Sequence, residues 1–229
     1  ARTCEELHME TTKAVQERRS IRKFLSKEIP SDLLHDLMDQ VRWAPSWGNT
    51  QVWELYVITG GALSAYKQAN LAKCVKGDPP SPDISMPEQW TGQWNNRYTG
   101  LFRSLMDGLA IDRNDKEARG KLYAEMFKFF DAPCLVIIGV DKSLCLPYAM
   151  LDTGLILQTL CLLAHDRGLG TCIEACAVMY PQLLRERALL PENKLAVIGA
   201  ALGYPDMKAP INGFPRERAD LDEVVQWLE

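Results

Sequence analysis

Arg18-Arg19-Ser20-Ile21-Arg22 places three guanidinium groups and a hydroxyl within five residues. A guanidinium is a planar fork of donors that stays charged, so this run suits a compact anion, above all a phosphate monoester. A solvated basic patch paired with Glu17 or Glu28 explains the same run equally well when it is taken alone. A second segment, Ala44-Pro45-Ser46-Trp47-Gly48-Asn49-Thr50-Gln51, breaks regular backbone at Pro45 and Gly48. Its Ser46, Asn49 and Gln51 offer hydroxyl and amide groups able to match a heterocycle's edge, although such groups also serve as ordinary caps. Near the other end, Pro215-Arg216-Glu217-Arg218 adds two arginines at i and i+2, which by themselves make only a charged loop.

These groups sit on a chain of 229 residues with net charge −4 and an isoelectric point near 5.5. A binder of the nucleic-acid backbone carries a broad basic surface, so nucleic acid is not the expected partner and the basic chemistry is local. The apolar runs read as too short to span a membrane, the longest candidate being the strand-sized Ala132 to Val140. The first thirty residues hold Glu5, Glu6 and Glu10 and no apolar leader core, and the seven cysteines are scattered through apolar segments. A cytoplasmic protein with buried free thiols is therefore expected. Cys172 and Cys176 have no second pair at metal spacing, and His8, His35 and His165 are far apart, so no metal is expected.

The positioning elements follow from periodicity. Residues from Glu10 to about Arg19 read as a polar helix with apolar points at Met9, Ala14 and Val15. A helix opens near Pro30-Ser31-Asp32 with Leu33, Leu34, Leu37, Met38 and Val41 on one stripe. Trp53 to Thr59 reads as a strand ending at Gly60-Gly61. Asp112 to Phe130 is helical, and Ala132 to Val140 is a buried strand. Ala149 to Arg167 is a helix apolar nearly all round, closed by Gly168-Leu169-Gly170, and needs a core or an obligate interface. Thr171 to Ala175 and Lys194 to Leu202 are strands, with a helix at Pro181 to Ala188 between them. Alternating strands and helices predict a sheet flanked by helices. Gly77-Asp78-Pro79-Pro80-Ser81-Pro82 cannot form regular structure, and the stretch at about 71–120 reads as a lid or excursion within one domain. Its Trp90, Trp94 and Tyr98 suit either a ligand cover or packing anchors.

Taken in order, these segments resemble the nitroreductase family of flavoproteins over nearly the whole chain except about 71–120. The family's R-[RH]-S-x-[RK] element corresponds to Arg18, Arg19, Ser20 and Arg22. Its A-P-S-x-x-N-x-Q-P-W loop corresponds to Ala44 through Trp53, with Val52 where proline is usual. Asp152-Thr153-Gly154 through Thr171 is similar to the central helix and its following turn, and Gly203 through Arg218 to the C-terminal strand and arm. Met126 stands where an asparagine is common, and Lys128 keeps a basic residue.

The resemblance implies an α+β three-layer fold in one domain, 1–229, with a central mixed, mostly antiparallel sheet and an intertwined homodimer. It implies FMN as cofactor and NADH or NADPH as donor. FMN would be held by Arg18, Arg19, Ser20, Arg22, Arg216 and Arg218, and by Pro45, Ser46, Trp47, Asn49 and Gln51 reaching into the other subunit's site. The backbone of Ile173, Glu174 and Ala175 would lie beside the flavin ring, with Glu174 acting through its main chain and no catalytic side chain required. The implied activity is ping-pong reduction of a small-molecule acceptor: a nitroaromatic, a quinone or an activated alkene. The alternatives are a reductive dehalogenase of the deiodinase type and a flavin-binding redox protein without turnover. Against the first, the excursion lacks the Glu-x3-Tyr pair of those enzymes.

Overall fold

The computed structural model describes residues 9–228; His8 and Cys4 lie outside them. Four strands form one sheet in the order β1-β2-β4-β3: β1 (Trp53–Thr59), β2 (Cys134–Asp141), β3 (Gly170–Glu174) and β4 (Lys194–Gly203). All three pairings are antiparallel, from Trp53↔Val140 to Thr59↔Cys134 in the first and with one irregularity at Ile138/Gly139 in the second. The parallel element is an isolated bridge between Ser20 and Thr171 on the outer edge of β3.

Residues Cys134 to Val140 of β2 are all apolar and buried because both faces of the sheet are covered there. Leu135 and Ile137 point into one core, with Phe127, Phe129, Tyr66 and Leu184. Cys134, Val136 and Ile138 point into the other, with Leu37, Ile156 and Leu160. The first core lies under α3 (Gly60–Lys76), α5 (Lys116–Phe127) and α7 (Pro181–Glu186); the second lies under α2 (Ser31–Val41) and α6 (Leu146–Asp166). The expected three layers are present. The remaining helices are α1 (Thr11–Glu17), α4 (Gly92–Gly108), α8 (Pro210–Gly213) and α9 (Leu221–Val224).

One element went unexpected and one expectation needs correction. Gly60 and Gly61 end β1 as expected but also begin α3, whose buried Leu63, Tyr66 and Asn70 recur at helical spacing and which runs into the excursion expected from about residue 71. And α6, with 21 residues, is long and apolar enough by length and composition to cross a membrane, longer than the run expected to be the longest. Here one face of it is core, and its C-terminus is closed by Gly168, at φ +71°, with Leu169 N–H donating to Ala164 O at 2.8 Å. Residues 77–91 are largely irregular, as the prolines require, and Trp90, Trp94 and Tyr98 are exposed rather than packed into either core.

Candidate functional site

The arginine run follows α1 directly and travels along β3. Ile21 N–H donates to Thr171 O at 2.8 Å, and the buried Ile21 side chain lies on Gly170, where a Cβ would come within 2.5 Å of Ile21 Cγ1. Only glycine permits that approach. The C-terminal arm then comes back over the run. Asn212, fully buried, accepts Arg22 N–H at 2.6 Å and donates to Lys23 O at 2.8 Å and Asp206 O at 2.9 Å. Arg19 Nη2 donates to Phe214 O at 2.8 Å, and the Arg22 guanidinium lies 5.6 Å from the Phe214 ring centroid. The Arg216 guanidinium donates to the carbonyls of Arg18 and Gln16. Residues some two hundred positions apart thus share one corner.

That corner is electrostatically one-sided. Burial holds the Arg216 pKa below its usual range, and the neighbouring charges of Arg19, Arg18 and Arg218 push it further the same way. Among the described residues, none of Arg18, Arg19, Arg22, Arg216 and Arg218 forms an ion pair with a carboxylate. Glu17 pairs with Lys13 instead, and Glu28 pairs with none. The solvated, paired patch that competed with the anion-binding reading is therefore not what the chain builds. His165, whose burial lowers its imidazole pKa, lies within the field of Arg18 and Arg216 and has a buried Nε2 without a partner. A cleft of about 790 Å³ opens beside Arg216 and Arg218, between the arm and α4. Converged guanidinium groups whose charge no carboxylate pairs suit a polyanionic group such as a phosphate.

Beyond Thr171 the edge of β3 receives no further strand among the described residues. Ile173 is exposed there, Ala175 is half-buried and Glu174 is buried. Burial raises the Glu174 pKa to about 7, against the lowering effects of its hydrogen bond with Cys172 and the charge of Arg22. The same burial pushes the Cys172 thiol well up. Arg22 is thus in electrostatic reach of both the sheet edge and the arginine corner.

The loop at 44–51 is placed elsewhere. Trp47 N–H donates to the buried carboxylate of Asp152 at 2.9 Å, and Gln51 N–H to Ser46 Oγ at 2.9 Å. Gln51 Nε2 donates to Asn49 O and Oδ1 at 3.0 and 3.2 Å, while Pro45 is exposed. The Trp47 ring, 61% exposed, meets Tyr148 at 5.3 Å. Tyr148 and Asp152 belong to the first third of α6, whereas Cys161 and His165, which feel the charge of Arg18, belong to its last third. At 1.5 Å per residue the two ends are roughly 20 Å apart. The structure therefore gathers Arg18, Arg19, Ser20, Arg22, Ile173, Glu174, Ala175, Arg216 and Arg218, and keeps Pro45, Ser46, Trp47, Asn49 and Gln51 apart from them. Lys128 is taken up locally by Glu125 at 2.7 Å and Asp131 at 3.3 Å.

Sequence reasoning placed Asp152 and Asn212 within segments that resemble the family but assigned no role to either, although they fix the loop and the arm. The available signal was a carboxylate inside an otherwise apolar helix, since a buried charge needs a partner. Asn212 gave no comparable signal.

A three-layer α+β fold with a free sheet edge beside an arginine cluster that, among the described residues, pairs with no carboxylate suits a protein that holds an anionic cofactor or ligand. The chain belongs to the nitroreductase family, whose model matches residues 15–204. It is 34% identical over 209 residues to the 4-nitrobenzoate reductase of Pseudomonas putida, covering 90% of each chain. It is 31% identical over 223 residues to the nitrobenzene nitroreductase of Ectopseudomonas oleovorans, covering 93% of this chain and 95% of the relative. Its fold superimposes on the FMN and NADPH-dependent nitroreductase NfnB of Sphigopyxis sp. strain HMH with a TM-score of 0.92 at 30% identity, covering 96% of this chain and all of the other.

Proposed function

We propose that this protein is an FMN-dependent NAD(P)H oxidoreductase that reduces nitroaromatics, quinones or activated alkenes, working as a homodimer. The observation that carries the reading is the convergence of Arg18, Arg19, Arg216 and Arg218, with no ion pair to a carboxylate among the described residues, beside the free edge of β3. FMN and NADPH are the cofactors named for the Sphigopyxis protein, and both sequence relatives act on nitroaromatics.

When bound, FMN supplies the hydride exchange between NAD(P)H and an acceptor, which no side chain of this site can perform. The protein's task is to bind, orient and tune. Arg18, Arg19, Arg216 and Arg218 would hold the phosphate, and Ser20 and Arg22 the ribityl chain. The main chain of Ile173, Glu174 and Ala175 would line the flavin, and the fixed charge of Arg22 would favour negative charge on it. Donor and acceptor would bind in turn at one site, as ping-pong kinetics requires.

Dimerisation supplies the missing loop. Tyr148, Leu151 and Leu155 leave an exposed apolar stripe on α6 next to exposed Trp47, with Leu151 57% exposed. Burying that stripe against a second copy brings Pro45, Ser46, Trp47, Asn49 and Gln51 to the partner's arginine corner. Six free thiols among the described residues, four of them buried, suit a reducing compartment such as the cytoplasm. The test is optical. The purified protein is expected to be yellow, to bleach with NADH or NADPH and to recover its colour with a nitroaromatic or quinone. A colourless protein that takes up no FMN overturns the reading, and a flavin untouched by either donor reduces it to passive binding.

A further inference from the structure

A second cavity, of about 770 Å³, lies between α4 and α5. One face of α5 lines it with Lys116, Arg119, Tyr123 and Met126, so that cations occupy its first turns and apolar groups its last. Phe102 and Arg103 face them from α4, and Arg113 from the connecting turn. The cavity holds four cations and no carboxylate.

Those cations are left unpaired on an acidic chain. Among the described residues none of Arg103, Arg113, Lys116 and Arg119 forms an ion pair, whereas nearby Lys121 pairs with Glu117 at 2.7 Å and Arg97 with Glu223 at 2.7 Å. Acids close by in sequence are committed elsewhere: Asp112 accepts Asn114 N–H at 2.7 Å, and Asp115 caps α5 through Ala118 N–H at 2.9 Å. The rings are also pre-set. Phe102 stands edge-on to Tyr98 at 5.2 Å and Tyr123 edge-on to Phe127 at 5.1 Å, and both Phe102 and Tyr123 keep exposed surface. From Arg119 to Tyr123 is about 6 Å along the helix.

We infer that this cavity binds a flat aromatic molecule carrying a carboxylate or phosphate. Its ring lies against Phe102 and Tyr123 and its anionic end on Arg103, Arg113, Lys116 and Arg119. Aromatic faces supply stacking and the converged cations supply charge-assisted bonds. Under the reductase reading, on which the ligand's role in turnover depends, two molecules have this chemistry. One is an acceptor that is itself an aromatic carboxylate; the other is the adenosine 2′-phosphate end of NADPH. The cavity adjoins the flavin side of the molecule, since Met106 of its lining packs with Phe214, over whose ring Arg22 lies. Neutral aromatics lack the anionic group to which the four cations can make charge-assisted bonds.

The test is calorimetry on the FMN-loaded, oxidised protein without electron donor, so the arginine corner is occupied and no turnover occurs. The probes are 4-nitrobenzoate against nitrobenzene, and adenosine 2′-phosphate against adenosine. At least one charged probe is expected to bind about tenfold or more tighter than its neutral counterpart, and which one does so identifies the source of the ligand. In the double variant Arg113→Ala/Arg119→Ala that preference is expected to disappear with FMN content unchanged. Because Arg119 Nη1 donates to Arg113 O at 3.1 Å and braces the turn, Arg103→Ala/Lys116→Ala provides a second variant that leaves this bond alone. Equal affinity for charged and neutral probes, or a preference that survives both double variants, overturns the inference. Failure to load FMN or to bleach with NADPH sinks the reductase reading separately, because the charge preference is read without any donor.

Discussion

The carboxylate of Asp152 accepts the backbone N–H of Trp47 at 2.9 Å, tying the buried face of α6 to a loop 105 residues earlier in the chain. Removing that acceptor with Asp152→Ala leaves a donor without its partner in a half-buried position. A loss of about 1–3 kcal/mol in urea unfolding is expected, together with weaker FMN retention, because the loop loses its anchor. Asp152→Asn keeps the Oδ1 acceptor and should cost clearly less. Equal effects of the two changes would show that the charge, not the hydrogen bond, positions the loop.

Arg218 separates binding from folding. It is exposed, its guanidinium donates to Glu217 O, and its charge is one of those that push the Arg216 pKa down. Arg218→Ala is expected to leave the stability of the FMN-free protein within about 0.5 kcal/mol, since a like charge and little else is removed. FMN release from the same variant should be faster and should lose part of its dependence on added salt. A variant that unfolds early but retains FMN normally would contradict the anion-holding role.

Glu174 predicts a pH dependence. Its folded pKa is raised from 4.5 to about 7 by burial, so between those values the folded state holds a proton that the unfolded state has released. Stability from this group is complete below about pH 4.5 and is lost as pH rises to about 7, with no further change above. A shift of that size corresponds to about 3 kcal/mol. Urea unfolding of the wild type and Glu174→Gln at pH 5, 6, 7 and 8 should show the difference between them changing up to pH 7 and then levelling. A constant difference across the series would mean that Glu174 folds in its charged form.

The sequence was informative where local pattern decides structure. The limits of β1 are those expected from its β-branched and aromatic run, and the α6 helix extends only three residues further toward the N-terminus, to Leu146, with Pro147 in its first turn. It was silent at α3, because Gly60-Gly61, correctly the end of the strand, carries no composition that announces a helix start. The arginine motif suggested an anion, yet taken alone it left a solvated patch equally open, and that alternative could be set aside only once Glu17 and Glu28 had places in space. Likewise nothing in the spacing of Trp47 and Arg18 says that they lie toward opposite ends of one helix. That relationship is made by Asp152 and His165, thirteen positions apart on α6, and Asn212 works through carbonyls as remote as Lys23.

The separation along α6 leads to the last expectation. Leu151 is 57% exposed on a helix whose opposite face is core, and it lies beside the exposed loop that one chain cannot bring to its own arginines. Leu151→Glu leaves that core face untouched, so the folded subunit should persist with near-normal circular dichroism. A charge buried at a self-complementary interface has no partner, however, and it occurs twice across a two-fold axis. Light scattering should therefore find the variant at the mass of one 25.8 kDa chain and the wild type at twice that mass. FMN retention should fall in the variant although every arginine is intact, because the partner's loop is gone. A wild type that is monomeric yet holds FMN would remove the shared site, and a dimeric Leu151→Glu would place the interface on another face.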